Sequence, residues 1–199
     1  MKPPKIIFLD VDDTLNRFTM SALSFLGCDV NPFNESQYDP AWEYDLATAV
    51  TALLPGVSIP EETFWNRFPR NFWANIPISA ECGWLLTTCS KLVGKSNICL
   101  LTKPSGENDC LAGKADWIQR SMPGWLHDQY LIGAPKYFCA NERSLLIDDS
   151  ERNISAFARN GGQTILVPRP WNPLHKTINT VGYIASKLER IFDTDIAIP

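Results

Sequence analysis

Apolar residues along this chain follow two patterns. Five short runs are apolar almost without a break: residues 5–9, 97–101, 129–132, 144–147 and 164–167. Runs of that length bounded by polar residues predict strands buried on both faces. Between them lie helical segments, predicted over 78–93, 114–122 and 152–159. The last ends at Asn160-Gly161-Gly162, a left-handed stop signal. A C-terminal helix carries Ile178, Val181, Ile184, Leu188 and Ile191 at spacings of three and four, giving one apolar face. Strands alternating with helices imply an α/β fold with a parallel, doubly wound sheet.

Residues 16–75 break this alternation. They hold Phe18, Phe25, Phe33, Tyr38, Trp42, Tyr44, Phe64, Trp65, Phe68, Phe72 and Trp73, with prolines at 32, 40, 55, 60 and 69. The segment is too long for a loop. It predicts a small, mainly helical cap inserted after the first strand, with most of its aromatics forming the insert's own core. The catalytic core would then be residues 1–15 and 76–199.

Composition narrows the class. Hydrophobic residues make 45% of the chain and charged residues 20%, as in ordinary globular proteins. The net charge of −4 and the lack of a long basic run argue against a polynucleotide or an anionic membrane as partner. No apolar stretch approaches the ~20 residues of a membrane-spanning helix. Met1-Lys2-Pro3-Pro4-Lys5 leads into a strand without a signal-peptide pattern. The six cysteines (28, 82, 89, 99, 110 and 139) match no metal-binding spacing and read as reduced, mostly buried thiols of a cytoplasmic protein. With two histidines, His127 and His175, a histidine-rich metal site is excluded, and both read as surface residues. A metal here would have oxygen ligands, which favours magnesium over zinc.

The chemistry lies where apolar runs end. The first run delivers Asp10-Val11-Asp12-Asp13-Thr14 to a strand's carboxyl end, where parallel sheets place their ligands. Such a carboxylate pair suits metal binding, or a nucleophile with an acid/base partner. Asp and Thr also cap helices and form turns. Capping does not explain why the other runs end the same way. Residues 98–101 end in Thr102, and 145–147 end in Asp148-Asp149. Lys136 follows Leu131-Ile132 after Gly133-Ala134-Pro135. All converge on one crevice. Asp10, Asp12, Asp148 and Asp149 crowd negative charge that Mg2+ and a lysine would balance. A substrate bridging metal and lysine would be phosphate-like, with the Thr102 hydroxyl and amide as donors. A response-regulator receiver uses similar parts, but there the acidic pair precedes the nucleophile.

The order Asp10-Val11-Asp12-Asp13-Thr14, Thr102, Lys136, Asp148-Asp149 resembles the four motifs of the haloacid dehalogenase-like (HAD) phosphohydrolases. The resemblance implies a Rossmann-like core and in-line attack by Asp10 on phosphorus, giving an aspartyl-phosphate. It implies that Asp12 protonates the leaving oxygen and then activates water. Asp10, the Asp12 backbone carbonyl and Asp148 would hold Mg2+, with Asp149 orienting a metal-bound water or a lysine. Gly113-Lys114-Ala115-Asp116-Trp117-Ile118, Leu145-Leu146-Ile147-Asp148-Asp149, Asn71-Phe72-Trp73 and Gly162 through Pro170-Trp171-Asn172 resemble the 5'(3')-deoxyribonucleotidase branch. That likeness implies phosphate contacts from Lys114 and Lys136. It also implies a nucleoside pocket lined by Phe18 and by Phe72 or Trp73, since every base offers a face for stacking. The branch has Gly-Val where this chain has Asp13-Thr14, and a small hydroxyl residue where this chain has Lys103. Lys103 either adds a phosphate contact or points to solvent.

The resulting expectation is a Mg2+-dependent phosphatase for small phosphomonoesters, foremost nucleoside or deoxynucleoside monophosphates. The alternatives are a HAD phosphatase for a sugar phosphate or other metabolite, and a non-catalytic nucleotide-binding protein of the same fold. A homodimer is compatible with the sequence. Trp117 reads as core and Asn153 as a helix or turn contact. Arg169 and Trp171 either reach the crevice or pack the last helix.

Overall fold

Five apolar runs become five strands. In the computed structural model, which describes residues 2–198 apart from 35, 36, 43, 106, 107 and 134 and the side chains of 61 and 62, these are β1 (Ile6–Leu9), β2 (Ile98–Thr102), β3 (Tyr130–Ile132), β4 (Ser144–Asp148) and β5 (Gln163–Leu166). They form one sheet in the order β3-β2-β1-β4-β5, with every pair parallel. Ile7 of β1 lies opposite Ile98 on one side and Leu145 on the other. The chain steps outward from β1 to β3 and then returns to lay β4 on the opposite side. The strand order therefore reverses between β1 and β4, and a crevice opens at their carboxyl ends.

The strand expectations hold, except that β3 is not buried on both faces. It is an edge strand, and Leu131 is 50% exposed. Helices α5 (Cys82–Val93), α6 (Asn108–Ser121), α7 (Glu151–Arg159) and α8 (Thr180–Phe192) flank the sheet. Helix α8 buries Ile184 and Leu188, but Ile178 lies outside it, fully exposed. The Asn179 side chain accepts from the Gly182 amide and starts the helix one residue later. Gly161 takes φ +87° at the end of α7, the left-handed stop its sequence predicts.

Helix α6 begins well before residue 114. Gly113 reads as a boundary in sequence, but it lies inside the helix because another helix crosses there. A Cβ on Gly113 would stand 2.4 Å from Trp73 Cβ and 2.6 Å from the Arg70 carbonyl oxygen. Both neighbours belong to α4 (Arg70–Ala74). The glycine thus permits close helix contact, and that contact sets Trp73 beside Lys114 on α6.

Residues 16–75 are mainly helical. They contain α1 (Phe18–Phe25), α2 (Leu46–Leu53), α3 (Glu61–Phe64) and α4, with short 3-10 turns at Pro40–Trp42 and Trp65–Arg67. The segment enters and leaves through one neck. Asn16 bridges Ile78, the Arg17 amide donates to the Pro77 carbonyl at 2.9 Å, and the Ser79 amide donates to Leu15 at 2.8 Å. Its aromatics do not make a separate core. Phe18, Phe64, Phe68 and Trp73 join Ile7, Leu9 and Leu100 in one continuous apolar cluster. The physical reason is the close α4–α6 contact, which brings the rings of the insert against the apolar side chains of the core.

Candidate functional site

The crevice collects the polar strand ends. Asp10 follows β1 and its amide donates to Ile147 of β4 at 3.0 Å, so β1 and β4 stay locked up to their last residues. Carboxylate oxygens of Asp10, Asp148 and Asp149 all lie within 4.8 Å of one another, and all three residues are buried. Lys136, also buried, reaches between Asp10 and Asp148, donating to Asp148 Oδ2 at 2.6 Å and pairing with Asp10. Ala134, in the stretch leading to Lys136, lies outside the described residues.

The electrostatics follow from burial. Desolvation pushes the Asp10 carboxyl well above the usual carboxylate range; Lys136 pulls it back, while Asp148, Asp149 and Asp12 push it further. Asp149 is raised by burial and by the charges of Asp13 and Asp148. Burial alone would lower the Lys136 ammonium, but Asp10 and Asp148 outweigh that and raise it. One lysine is therefore too little charge for three clustered carboxylates. A hard divalent cation with oxygen ligands fits this donor set. Asp10, Asp148 and Asp149 would hold it, with the Asp12 carbonyl assigned to the set by resemblance alone.

Asp12 is handled differently. Its carboxylate pairs with Lys114 and accepts from Asn16 Nδ2 at 3.1 Å. Lys114 is almost wholly buried, donates to Thr102 Oγ1 at 3.0 Å, and lies 5.3 Å from the Trp73 ring centroid. The turn that aims Asp12 depends on Asp13, whose φ of +55° lies in the left-handed region that aspartate tolerates. Asp13 accepts from the Thr19 amide at 2.9 Å and its hydroxyl at 2.7 Å, and Arg169 donates to the Asp13 carbonyl at 2.6 Å. Burial lifts the Asp13 carboxyl to about 7.

Several residues carry roles their sequence context did not assign. Asn153 is not a mere turn contact: its Nδ2 donates to both Asp148 oxygens at 3.1 and 3.2 Å. It sits five residues beyond Asp148, where the first turn of α7 points back at the strand end. Trp171 reaches the crevice, donating from Nε1 to Asp149 Oδ2 at 2.6 Å, and Asn172 donates to the Asp149 carbonyl at 2.9 Å. Asn16 was legible only as a short polar residue four positions from Asp12. His127 and His175 are half-buried rather than freely exposed, and His175 lines the outer groove.

A cavity of about 390 Å³ opens over these groups. Asp10, Asp12, Thr102, Lys103 and Lys136 form one wall, and Phe18, Tyr44, Trp65 and Trp73 another. Phe18 and Trp73 are almost fully buried and stack on each other at 5.1 Å with planes 4° apart. Trp65 and Tyr44 are the more accessible rings. Phe72 does not line the cavity; it packs away from it against Phe25 and Phe68. On α4 it lies next to Trp73, and one step along a helix turns the side chain by about 100°, enough to take Phe72 off the cavity face.

The fold is that of solved HAD-family hydrolases. One neighbour is the HAD-hydrolase YfnB from Bacillus subtilis bound to magnesium, at 17% identity over 83% of this chain and 87% of that one, with a TM-score of 0.55. Another is a HAD family hydrolase from Deinococcus radiodurans R1 with bound phosphate and sodium, at 16% identity, 96% and 89% coverage and a TM-score of 0.52. A hydrolase from Streptococcus pneumoniae TIGR4 is similar at 14% identity, 98% and 100% coverage and a TM-score of 0.53. No protein-family model matches the chain, and no curated protein matches it. Among the described residues, no helix is long and apolar enough to cross a membrane.

Proposed function

We propose that this protein is a Mg2+-dependent phosphatase for small phosphomonoesters, foremost nucleoside or deoxynucleoside monophosphates. The observation that carries the reading is the split of the carboxylates into two environments. Asp10, Asp148 and Asp149 cluster around Lys136, while Asp12 stands apart with Lys114 and Thr102. Such a split separates a nucleophile from its acid/base partner. The bound magnesium and bound phosphate of the Bacillus and Deinococcus neighbours support it by analogy.

In this reading an Asp10 oxygen attacks phosphorus in line. The ester P–O bond breaks, the leaving oxygen takes a proton from Asp12, and Asp10 becomes an aspartyl-phosphate. Asp12 then takes a proton from water as that water attacks phosphorus. Inorganic phosphate leaves and the Asp10 carboxylate is restored. Thr102, Lys114 and Lys136 bind and orient the phosphoryl oxygens, a positioning role that lowers the barrier without covalent chemistry. Asp10, Asp148 and Asp149 would hold the metal, which when bound would supply charge neutralisation at phosphorus.

Residues 16–75 act as a cap over residues 1–15 and 76–199, and the neck at Asn16 and Ile78 supports that division. The cap excludes water and offers Trp65 and Tyr44 as stacking surfaces. Free thiols at all six cysteines favour a reducing compartment, the cytoplasm.

The test is phosphate release with Mg2+ against ribo- and deoxyribonucleoside monophosphates and sugar phosphates. Turnover of nucleotides that Asp12→Asn abolishes is the expected result. Turnover of sugar phosphates alone would discard the nucleotide assignment. No turnover of any phosphomonoester would discard the phosphatase.

A further inference from the structure

Beyond the groups that serve one phosphate, the mouth of the cavity holds three polar side chains with no work of their own. Ser105 lines the cavity beside the Cys110 sulfur, to which its amide donates at 3.4 Å, and among the described residues its hydroxyl meets no oxygen or nitrogen partner. Lys103 and Arg152 are exposed and line the same cavity. Among the described residues neither makes an ion pair.

The surroundings limit what these groups can be for. Among the described residues, the carboxylates lining the cavity are Asp10, Asp12 and Asp149. Asp10 is held by Lys136, Asp12 by Lys114 and Asp149 by Trp171. Lys103 and Arg152 are therefore surplus to the reaction centre. Both also line a wider outer groove of about 1120 Å³ that shares Lys136, Asp149, Ser150 and Asn153 with the cavity. Glu151 faces that outer groove and not the cavity. Cavity and groove adjoin through these shared residues, with Asp10 lining the inner space and Lys103 and Arg152 lining both.

We infer that Lys103, Ser105 and Arg152 form a second anion subsite, and that the natural substrate is a phosphomonoester carrying a further anionic group. This rests on the phosphatase reading. It adds that the molecule spans from Asp10 to the mouth, where Arg152 and Lys103 meet its second charge and Ser105 donates to it. An arginine fork suits a phosphate or carboxylate there.

Binding separates this inference from turnover. The Asp10→Asn protein with Mg2+ is titrated by tryptophan fluorescence, since Trp65 and Trp73 line the cavity. The probes are a nucleoside 5'-monophosphate against its 3',5'-bisphosphate, and a hexose 6-phosphate against its 1,6-bisphosphate. In at least one pair the bisphosphate should bind about ten-fold or more tightly, at about 1.4 kcal/mol per ten-fold. Arg152→Gln on that background should bring the ratio close to one. Equal affinity within both pairs, or a ratio that Arg152→Gln leaves intact, overturns the subsite. Phosphate release by the wild type is read separately: a binding preference without release sinks the phosphatase alone, and release with equal binding sinks the subsite alone.

Discussion

The two walls of the cavity are built on opposite rules. On the sheet side, buried carboxylates are matched by ammonium groups or neutral hydrogen-bond donors: Asp10 and Asp148 by Lys136, Asp12 by Lys114, Asp148 also by Asn153, Asp149 by Trp171. On the cap side, rings are matched by rings: Phe18 to Trp73 and Trp65, Phe68 to Phe64 and Phe72. The sheet wall spends stability to hold charges in place, because buried ion pairs rarely repay their desolvation. The cap wall supplies stability, because each buried ring removes a large apolar area from water. A site of this kind holds reactive charge steady only because the opposite wall anchors it.

That comparison can be broken at several points. The largest effect should come from Asp12→Asn, which removes the proposed proton donor while keeping the shape. It should lower kcat for phosphate release by roughly 10²–10⁴-fold, and it should lower the urea midpoint as well, because the buried Lys114 ammonium loses its carboxylate. On the other wall, Phe18→Ala should act on stability first. Phe18 is fully buried, so truncation should cost about 3–5 kcal/mol of unfolding free energy. Phe25, half exposed, should lose much less on the same change in urea titration.

Gly113 joins the two walls. Gly113→Ala gains roughly 1 kcal/mol of helix propensity but drives a methyl into Trp73 and Arg70 of α4. Overpacking of about 1–3 kcal/mol should win, so the protein should unfold at lower urea and bind nucleotide more weakly as Trp73 shifts. A rise in stability would show that α4 moves aside freely.

Asp13 sharpens the charged side. Its native carboxyl, lifted to about 7, keeps a proton that an unfolded aspartate releases near 4. Between those values the unfolded state binds fewer protons than the native one, so this group makes stability fall as pH rises, levelling above 7. The slope is at most about 1.4 kcal/mol per pH unit for one proton. Without metal, Asp13→Asn should flatten the pH dependence of urea unfolding relative to wild type by up to that amount. The smallest effect concerns the thiols. Burial pushes Cys89 up to about 12 and Cys82 and Cys99 to about 11, so these should alkylate slowly at neutral pH until urea exposes them.

The strands were legible because a buried strand in a parallel sheet is apolar along its whole length, and Ile6–Leu9 and Ser144–Asp148 carry that pattern locally. Asp10, Asp12, Thr102, Asp148 and Asp149 were legible as candidates for the same reason, since each is the polar residue that ends such a run. The cavity's aromatic lining was only partly legible. Phe18, Phe72 and Trp73 are all ring-bearing candidates in one dimension, yet Phe72 turns to Phe25 and Phe68 while Trp65 takes the open face.

What the sequence determined by itself is what local periodicity and strand chemistry specify: an α/β sheet with acidic and hydroxyl residues at one edge. What the tertiary structure alone decided is every relation between distant segments. Those are the close pass of α4 over Gly113, the reach of Trp171 back to Asp149, and the bond from Arg169 to the Asp13 carbonyl. Such contacts depend on packing between elements far apart in the chain. No residue's own neighbours in sequence record which partner it will meet.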